Sequence, residues 1–223
     1  MSGRYIINEK VTEYLDGFYR PPDDRTGALR SEAEEQGIPV ILRDTERFMI
    51  TLIRMLRPSR ILEIGTAVGY SSICFAAAAG SSVEIITLEK DEDLAVQAEA
   101  NIERMGFQSQ IHVVKGDARE TMRKLRGEFD LIFIDAAKSH YGEYWDLAFP
   151  YCRAGSVIVC DNVLLRASVT DEGYDSSPRR HHTSIRRMRS FLERITSDPE
   201  VDTAVMTVGD GLSVSCLKAV ESI

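Results

Sequence analysis

The strongest constraint on the fold of this chain lies in residues 60–72, where an apolar run passes through two glycines into a second apolar run. Gly65 and Gly69 lack a Cβ atom, so the backbone can turn sharply there and a ligand can approach it closely. Glu63 stands where a dinucleotide-binding strand is usually apolar, and its carboxylate suits a cationic amino acid or a ribose better than a pyrophosphate. The segment predicts a strand, a tight turn and a helix, with a ligand at the turn. The alternative is an ordinary turn of an α/β protein.

Strand and helix patterns alternate after residue 58. Apolar runs predict strands at residues 61–64, 83–88, 111–114, 129–134 and 156–160. Helical patterns between them cover residues 70–79, 91–105, 118–125 and 141–149. This alternation predicts a mostly parallel sheet with helices on both faces. A later helix at residues 183–196 precedes strands at 203–208 and 213–217, whose short glycine-rich link predicts a hairpin and therefore an antiparallel strand.

Helical spacing also precedes the sheet, at residues 5–19, 26–36 and 45–56. Gly37 is predicted to end the second helix, and Asp44 or Thr45 to cap the third. Residues 38–41 are predicted to form a short extended link. We expect one domain over residues 1–223, in which a helical cap of residues 1–57 covers one end of a core formed by residues 58–223.

Composition excludes several classes of protein. The chain has 223 residues, 43% hydrophobic and 28% charged, as is typical of a soluble globular domain, with neither a spanning apolar segment nor a secretion signal. We therefore expect a cytoplasmic protein. The net charge of -8 disfavours indiscriminate binding to nucleic acid or anionic lipid. The cysteines are isolated, which predicts buried reduced thiols rather than zinc or redox sites; they are Cys74, Cys152, Cys160 and Cys216.

Polar residues follow each of the first five predicted strands. In an open parallel sheet a ligand binds beyond the carboxyl ends of the strands, so these residues are candidates for a site. Glu89 follows the second strand at a spacing from Gly65 that suits the hydroxyl pair of a ribose. The other positions are Glu63, Asp117, Asp135, and Asp161 with Asn162. Each acid alone could simply cap the next helix, but their recurrence at every strand end favours a shared site.

Asp135 and Asp161 follow strands that we expect to be neighbours, which would place the two acids about 5 Å apart. Carboxylates that close repel each other unless they share a proton or bind a cation. Together with Asn162 they offer hard oxygen ligands, which favour Mg²⁺ or Mn²⁺, with solvated helix caps as the alternative.

Lys138 lies in the loop after Asp135, where a dication would favour its neutral form and a role as base. An exposed loop lysine fits the spacing equally well.

In their order along the chain, these motifs resemble those of the cation-dependent O-methyltransferases, the family of the catechol and caffeoyl-coenzyme A O-methyltransferases. The resemblance covers residues 38–223. Its motifs are Glu63-Ile64-Gly65-Thr66 with Gly69-Tyr70-Ser71, Phe133-Ile134-Asp135-Ala136 with Lys138 and Tyr141, Asp161-Asn162-Val163-Leu164, and Gly209-Asp210-Gly211-Leu212. The resemblance implies the Rossmann-like fold of class I S-adenosylmethionine-dependent methyltransferases, a seven-stranded, mostly parallel sheet with an antiparallel last strand.

The resemblance also implies roles for individual residues. The residues implied for binding S-adenosylmethionine are Val40, Glu63, Gly65, Thr66, Ser71, Glu89, Asp117, Ala118 and Asp135. Among them, Glu89 would contact the ribose, and Asp117 with Ala118 the adenine. The residues implied for the metal are Asp135, Asp161 and Asn162. Lys138 would be the catalytic base beside Asp135, and because members of the family are usually dimers, a homodimer is expected.

Two kinds of substrate offer the adjacent oxygens that such a metal would bind, a catechol and 5-hydroxyuridine in tRNA. A cluster of arginines, typical of phosphate contacts, bears on the choice; it comprises Arg179, Arg180, Arg186, Arg187, Arg189 and Arg194. The solvated face of a helix explains the cluster equally well. This segment and residues 208–212 resemble the bacterial tRNA 5-hydroxyuridine methyltransferases. Methylation of the tRNA wobble uridine to 5-methoxyuridine is therefore the first prediction, and a catechol-like molecule the alternative.

Two further points stay open in the sequence. Tyr141, Tyr144 and Trp145 could stack on either a base or a catechol ring, although packing in the core is expected for at least one of them. A dinucleotide-dependent oxidoreductase, or a cofactor-binding protein without catalysis, is a more distant alternative. The spacing of Gly65 and Gly69 disfavours it, because the dinucleotide fingerprint has a third, central glycine.

Overall fold

A seven-stranded sheet forms the centre of the structure, a computed structural model that describes residues 9–219. Its strands are β1 (Arg60–Ile64), β2 (Glu84–Glu89), β3 (Ile111–Lys115), β4 (Leu131–Ile134), β5 (Val157–Asp161), β6 (Val201–Met206) and β7 (Leu212–Leu217). Their order across the sheet is β3-β2-β1-β4-β5-β7-β6. Strands β1 to β5 are parallel, and β7 pairs antiparallel with both β5 and β6. The predicted mostly parallel sheet with an antiparallel last strand is confirmed.

The direction in which the chain crosses the sheet reverses between β1 and β4. From β1 the chain proceeds to β2 and β3 on one side, and then returns to β4 on the other. In open α/β sheets such a reversal opens a crevice at the carboxyl ends of the two strands, where ligands bind. The register makes these ends level, because Ile134 is the partner of Ile64 on one side and of Cys160 on the other. The residues that follow β1, β4 and β5 therefore emerge side by side.

Helices cover both faces of this sheet. The α-helices are α1 (Glu9–Asp16), α2 (Asp24–Glu35), α3 (Arg43–Leu56), α4 (Tyr70–Ala79), α5 (Glu92–Met105), α6 (Ala118–Thr121), α7 (Tyr141–Ala148), α8 (Asp171–Ser176) and α9 (His182–Ser197). Short 3-10 helices lie at Met122–Lys124, Lys138–His140, Phe149–Tyr151 and Arg179–His181. In the part of the chain that the structure describes, no helix combines the length and apolar character needed to cross a membrane.

Hydrophobic cores lie on opposite faces of the sheet because successive strand residues point in opposite directions. Ile61 and Phe133 pack on one face with residues of α3, α4 and α5. Leu62 and Ile134 pack on the other face with residues of α7 and α9. Both faces of the central strands are thus covered, which explains why their sequences are nearly continuous apolar runs rather than alternating patterns.

The N-terminus of α3 differs from the prediction. The helix begins at Arg43, and its N-cap residue, Leu42, offers no side-chain hydrogen bond. Asp44 lies inside the helix, and its Oδ2 accepts a hydrogen bond of 2.7 Å from the backbone N–H of Gly209. The predicted cap at Asp44 or Thr45 is wrong because the Asp44 carboxylate makes a tertiary contact to the turn between β6 and β7 instead.

Other helix boundaries shift by smaller amounts. The helix predicted over residues 118–125 is α-helical only to Thr121 and continues as a 3-10 turn. Helix α8 was not predicted, because its six residues are too short and polar to show a period. Of the helix predicted over residues 5–19, α1 covers Glu9–Asp16, and residues 5–8 lie outside the described part of the chain.

The cysteines are all free thiols, as predicted. Cys74 and Cys160 are buried, whereas Cys152 is partly buried and Cys216 is exposed. The expectation of burial is therefore wrong for Cys216, which lies on β7 with its side chain directed away from the core. The outward position follows from the alternation of side chains along a strand.

Gly65 tolerates no side chain. Its φ is +105°, and a Cβ atom added there would lie 2.1 Å from the backbone carbonyl oxygen of Asp135. We expect Gly65→Ala to lower the free energy of unfolding by about 2 to 4 kcal/mol in urea denaturation. Gly142→Ala is the matched control, since nothing lies within 4 Å of its added Cβ and alanine favours the helix. Equal stability of the two variants would contradict the described approach of β1 to Asp135.

Candidate active site

A cavity of about 580 Å³ opens at the carboxyl ends of the parallel strands, a volume in the usual range for small-molecule sites. The turn after β1, the ends of β2 to β5 and the extended segment of residues 39–42 form its walls. The predicted site residues that line it are Val40, Gly65, Thr66, Ser71, Glu89, Asp117, Ala118, Asp135, Lys138, Asp161 and Asn162. The structure therefore brings together every predicted site residue except Glu63.

Glu63 is fully buried on β1 and does not line the cavity. Its Oε2 accepts hydrogen bonds from the Ser72 hydroxyl and, at 2.6 Å, from the Thr87 hydroxyl. Its Oε1 has no hydrogen-bond partner among the described residues. Burial raises the pKa of Glu63 to about 7. The carboxyl group thus lies behind the cavity wall, where a nearby positive charge would stabilise its ionised form.

Glu89 stabilises the turn after β1 while facing the cavity. Its Oε2 accepts a hydrogen bond of 2.9 Å from the Ala67 backbone N–H, and its Oε1 accepts one of the same length from Asp91. Each carboxylate oxygen has a further lone pair, so the group can still accept hydrogen bonds from a ligand. At the end of this turn, Gly69, with φ of +81°, is the N-cap residue of α4.

Asp117 caps the short helix α6, so the helix-cap alternative describes its local geometry correctly. Its Oδ1 accepts a hydrogen bond of 2.9 Å from the backbone N–H of Arg119, whose guanidinium forms a 2.7 Å ion pair with Oδ2. The Arg119 guanidinium lowers the pKa of Asp117 to about 2. The carboxylate at this end of the cavity is therefore a stable hydrogen-bond acceptor at neutral pH.

A hydrogen-bond chain joins the ends of β4 and β5. Lys138 Nζ donates to Asp135 Oδ1 at 2.6 Å and to Tyr141 Oη at 2.8 Å. Tyr141 Oη in turn donates to the backbone carbonyl of Asp161 at 2.8 Å. Neither acid caps a helix, so that alternative does not account for Asp135 or Asp161.

Asp161 carries a buried oxygen that lacks a donor. The residue is 1% exposed, and its Oδ1 accepts a 2.7 Å hydrogen bond from the Asn162 backbone N–H. Its Oδ2 has no partner within residues 9–219. Burial, together with the charge of Asp135, raises the pKa of Asp161 to about 7. An orphaned carboxylate oxygen beside a second acid fits a cation.

The donor set beside Asp161 is small. No group of three or more His, Cys, Asp and Glu side chains in the described residues is arranged to hold a metal ion. A cation there would therefore need the neutral amide oxygen of Asn162 in addition to Asp135 and Asp161, and solvent or substrate oxygens to complete its shell.

The outer wall contains residues that the sequence did not single out for the site. Leu165 and Arg166 line the cavity from the loop after β5, both with left-handed φ values of +49° and +51°. Asp210 reaches the same rim, where its Oδ1 accepts a 2.6 Å hydrogen bond from the Arg166 backbone N–H. Leu42 lines the wall from the N-cap of α3. The pairing of β5 with β7 and the hydrogen bond from Gly209 to Asp44 bring these distant segments together, so no local pattern could place them.

All three aromatic residues of α7 are buried in the core. Tyr141 and Trp145 pack against Phe191 of α9. Tyr144 is 6% exposed and also lines the cavity. The expectation that at least one of the three packs in the core is therefore confirmed, and Tyr144 is the one that faces the cavity.

The arginine-rich segment does not line the cavity, and several of its members bind other parts of the chain. Arg189 donates to the backbone carbonyls of Val169 and Thr170 at 2.8 and 2.6 Å. Arg194 pairs with Asp146, and Arg187 donates to the Ser139 carbonyl at 3.3 Å. Every member of the cluster except Arg189 is exposed, and Arg180 donates to its neighbour His181 at 3.0 Å. Contacts to other segments of the chain thus engage three of the six arginines, Arg187, Arg189 and Arg194.

Comparison with known proteins assigns the class of this protein. The sequence profile of the O-methyltransferase family matches residues 29–218. A catechol O-methyltransferase of Niastella koreensis is 33% identical over 223 residues, covering 95% of this chain and 98% of the relative. A catechol O-methyltransferase of Mycobacterium tuberculosis is 32% identical over 216 residues, with coverages of 93% and 95%. The chain belongs to the O-methyltransferase family, as the motifs predicted.

A solved structure agrees with this assignment. The O-methyltransferase from Bacillus cereus in complex with SAH has a TM-score of 0.82 against this chain at 29% identity. The likeness covers 94% of this chain and 97% of the neighbour. The dinucleotide-dependent oxidoreductase is therefore no longer a candidate class.

Glu63 gives the stability of the protein a defined pH dependence. Burial raises the pKa of its carboxyl from 4.5 to about 7, so between these values the folded protein keeps a proton that the unfolded chain has released. The contribution of the protonated Glu63 to the free energy of unfolding is fully present below pH 4.5 and is lost as the pH rises through about 7. The free energy of unfolding of the wild type should therefore fall between about pH 5 and about pH 7.5. We expect this fall to be smaller in Glu63→Gln, by on the order of 2 kcal/mol.

Urea denaturation of the ligand-free protein at the two pH values measures this difference. Glu99→Gln is the control, because Glu99 lies on the surface in an ion pair with Lys115. A pH dependence that is the same in Glu63→Gln as in the wild type would contradict the assignment of the buried proton to Glu63.

Proposed function

We propose that this protein transfers the methyl group of S-adenosylmethionine to a hydroxyl of a catechol-like aromatic molecule, in the presence of a divalent cation. The observation that carries the proposal is the unpaired, buried Oδ2 of Asp161 beside Asp135, next to the glycine turn at Gly65. The relatives named catechol O-methyltransferase, which align over nearly their whole length, support the choice of substrate class.

The cofactor is proposed to occupy the part of the cavity between the segment of residues 39–42 and the ends of β1 to β3. SAH, the molecule that remains when S-adenosylmethionine loses its methyl group, is bound in the Bacillus cereus neighbour. Glu89 and Asp117 would accept hydrogen bonds from its ribose and adenine, and Ser71 would contact its methionine part. Glu63 would act from behind the wall, where its carboxylate attracts the cationic groups of the cofactor.

Asp135, Asp161 and Asn162 are proposed to hold Mg²⁺ or Mn²⁺. When bound, such a cation lowers the pKa of a substrate hydroxyl and orients it through a second, adjacent oxygen. A catechol supplies that pair of oxygens. The positive charge would also stabilise Asp161 in its ionised form, which burial alone disfavours.

The reaction itself is a displacement at the methyl carbon. The substrate oxygen forms a bond to this carbon while the carbon–sulfur bond breaks, and the sulfur keeps the electron pair. The hydroxyl proton passes to Lys138, the proposed base, whose Nζ is oriented by Asp135 and Tyr141. Holding the reactants at attack distance contributes about 7 to 11 kcal/mol, so positioning by the cavity walls dominates over proton transfer.

A tRNA containing 5-hydroxyuridine is the second candidate substrate. The observation in its favour is the exposure of Arg179, Arg180 and Arg186, whose guanidinium groups make no hydrogen bond to another segment within residues 9–219 and are open to a phosphate. The tRNA ranks second because Arg187, Arg189 and Arg194 already form hydrogen bonds or an ion pair with other parts of the chain.

Methylation assays with labelled S-adenosylmethionine and Mg²⁺ test both substrates. We expect label in a simple catechol, no label in hydroxyuridine-containing tRNA, and loss of turnover when EDTA removes the cation. Asp161→Asn should lower kcat roughly 100-fold while the Kd for S-adenosylmethionine changes less than about threefold, because the amide keeps the shape but not the charge. Asp202→Asn, at an exposed ion pair with Lys218, should leave both constants unchanged.

Each contrary result has a definite meaning in this assay. Label in tRNA alone would replace the first candidate by the second. Full turnover by the Asp161→Asn variant, or by the wild type in excess EDTA, would contradict the proposed role of the cation. No label in either substrate, with no binding of S-adenosylmethionine, would overturn the proposal as a whole.

We also propose that the protein forms a homodimer through α1 and the residues that follow it. Large apolar side chains lie exposed there at helical spacing, namely Val11, Tyr14, Leu15 and Phe18. An apolar stripe of this kind on a soluble protein is typical of a contact with another chain.

Phe18→Glu should convert this dimer into monomers in sedimentation velocity, because a charge would be buried at the contact. Val96→Glu is the control, since Val96 is a similarly exposed apolar residue on α5. A wild-type protein that sediments as a monomer would exclude the proposed contact.

A further inference from the structure

A buried ion pair lies directly behind the cofactor end of the cavity. Arg30 on α2 and Glu46 on α3 are 5% and 0% exposed, and the Arg30 guanidinium contacts Glu46 Oε2 at 2.6 Å. Neither side chain lines the cavity. The pair therefore makes no direct contact with the cavity and is joined to it through the residues to which it is bonded.

The pair bonds to two walls of the cavity, and Arg30 reaches both of them, because its Nε donates to the Tyr70 hydroxyl at 3.2 Å. The Arg30 guanidinium donates to the backbone carbonyl of Ile41 at 2.7 Å, and Glu46 Oε2 accepts a 2.7 Å hydrogen bond from the Tyr70 hydroxyl. Ile41 lies in the extended segment of residues 39–42, and Tyr70 is the first residue of α4. Both line the cavity, so the ion pair bridges two of its walls.

The bridge has few substitutes. Within residues 9–219 the Ile41 carbonyl accepts no other hydrogen bond, so the directed contact from α2 to this carbonyl depends on Arg30. The Tyr19 hydroxyl adds a 3.0 Å hydrogen bond to Glu46 Oε1, which fixes the carboxylate from a third direction. A guanidinium offers several donors in a fixed plane, which a lysine ammonium does not reproduce.

Stability alone does not account for this arrangement. Burying two charges costs desolvation energy that their attraction barely offsets, and well-packed apolar residues of similar volume are often equally stable in such a place. What apolar residues cannot supply is a directed hydrogen bond to the Ile41 carbonyl. The directional bonds, rather than the charge pair, distinguish this site.

We infer that Arg30 is a positioning residue, which together with Glu46 holds the segment of residues 39–42 at a fixed separation from the start of α4 and so sets the width of the cofactor end of the cavity. The inference rests on the proposed function, in which S-adenosylmethionine occupies this end. Loss of the bridge should weaken cofactor binding while leaving the acids at the ends of β4 and β5 unaffected.

The double variant Arg30→Met with Glu46→Leu tests the inference, because it removes the bridge without leaving an unpaired buried charge. We expect the variant to fold with a Tm lowered by about 5 to 15 °C, because the Ile41 carbonyl and the Tyr70 hydroxyl each lose a hydrogen-bond partner. The Kd and KM for S-adenosylmethionine should rise about tenfold, and the KM for the catechol should stay within about twofold. Hydrogen–deuterium exchange of the amides of residues 38 and 46, which donate to the Ala33 and Leu42 carbonyls at the two ends of the segment, should become faster in the ligand-free protein. This last readout needs neither cofactor nor turnover.

Two further variants make the outcome decisive. Arg30→Lys keeps the charge but not the planar set of donors, and should raise the Kd for S-adenosylmethionine about threefold at unchanged Tm. The matched control is Arg104→Met with Glu32→Leu, which removes an exposed ion pair between α5 and the same helix α2, and should change neither quantity.

The inference is overturned if the folded double variant binds S-adenosylmethionine as the wild type does. Should the double variant not fold, an Arg30→Lys protein with wild-type affinity overturns it equally. A wild-type protein that does not bind S-adenosylmethionine would refute the proposed function instead. In that case, exchange rates of the Ile38 and Glu46 amides that are the same in Arg30→Lys and the wild type would also refute the bridge.

Discussion

The close approach of two strand ends controls the architecture of the site. Gly65, after β1, lies so near the backbone carbonyl of Asp135, after β4, that even a methyl group has no room between them. This contact brings the turn that would receive the cofactor next to the acids that would receive the cation. Since β5 continues the same register, Asp161 arrives at the same level. One backbone contact thus joins the two halves of the proposed reaction.

Buried acids make the proposed site favourable for positive charge. Glu63 and Asp161 are both buried, each has one oxygen without a donor among residues 9–219, and burial raises the pKa of both to about 7. A cation placed beside either group would remove an electrostatic penalty that the folded chain otherwise carries. The proposed cofactor and cation would therefore stabilise the fold by mass action.

The sequence was sufficient for the sheet and for most of the cavity because both follow from short-range rules. Continuous apolar runs mark strands that are covered on two faces, and polar residues after such strands must meet at one edge of a parallel sheet. Pairings between distant helices follow no such rule. Even so, Glu46 precedes Met49, Ile50 and Ile53 at helical spacing, so its burial on the apolar face of α3 could have been inferred. The pairing of Glu46 with Arg30 could not have been inferred, because no local pattern specifies how α2 lies relative to α3.

The position of β7 has a consequence for how the molecule is assembled. This strand follows β6 in the chain but lies between β5 and β6 in the sheet. During synthesis on the ribosome β6 therefore emerges with no neighbour to pair with, and its open edge persists until β7 arrives. The rim that carries Asp210 is completed in the same late step, so the earlier strands can associate before the catalytic cavity acquires its final wall.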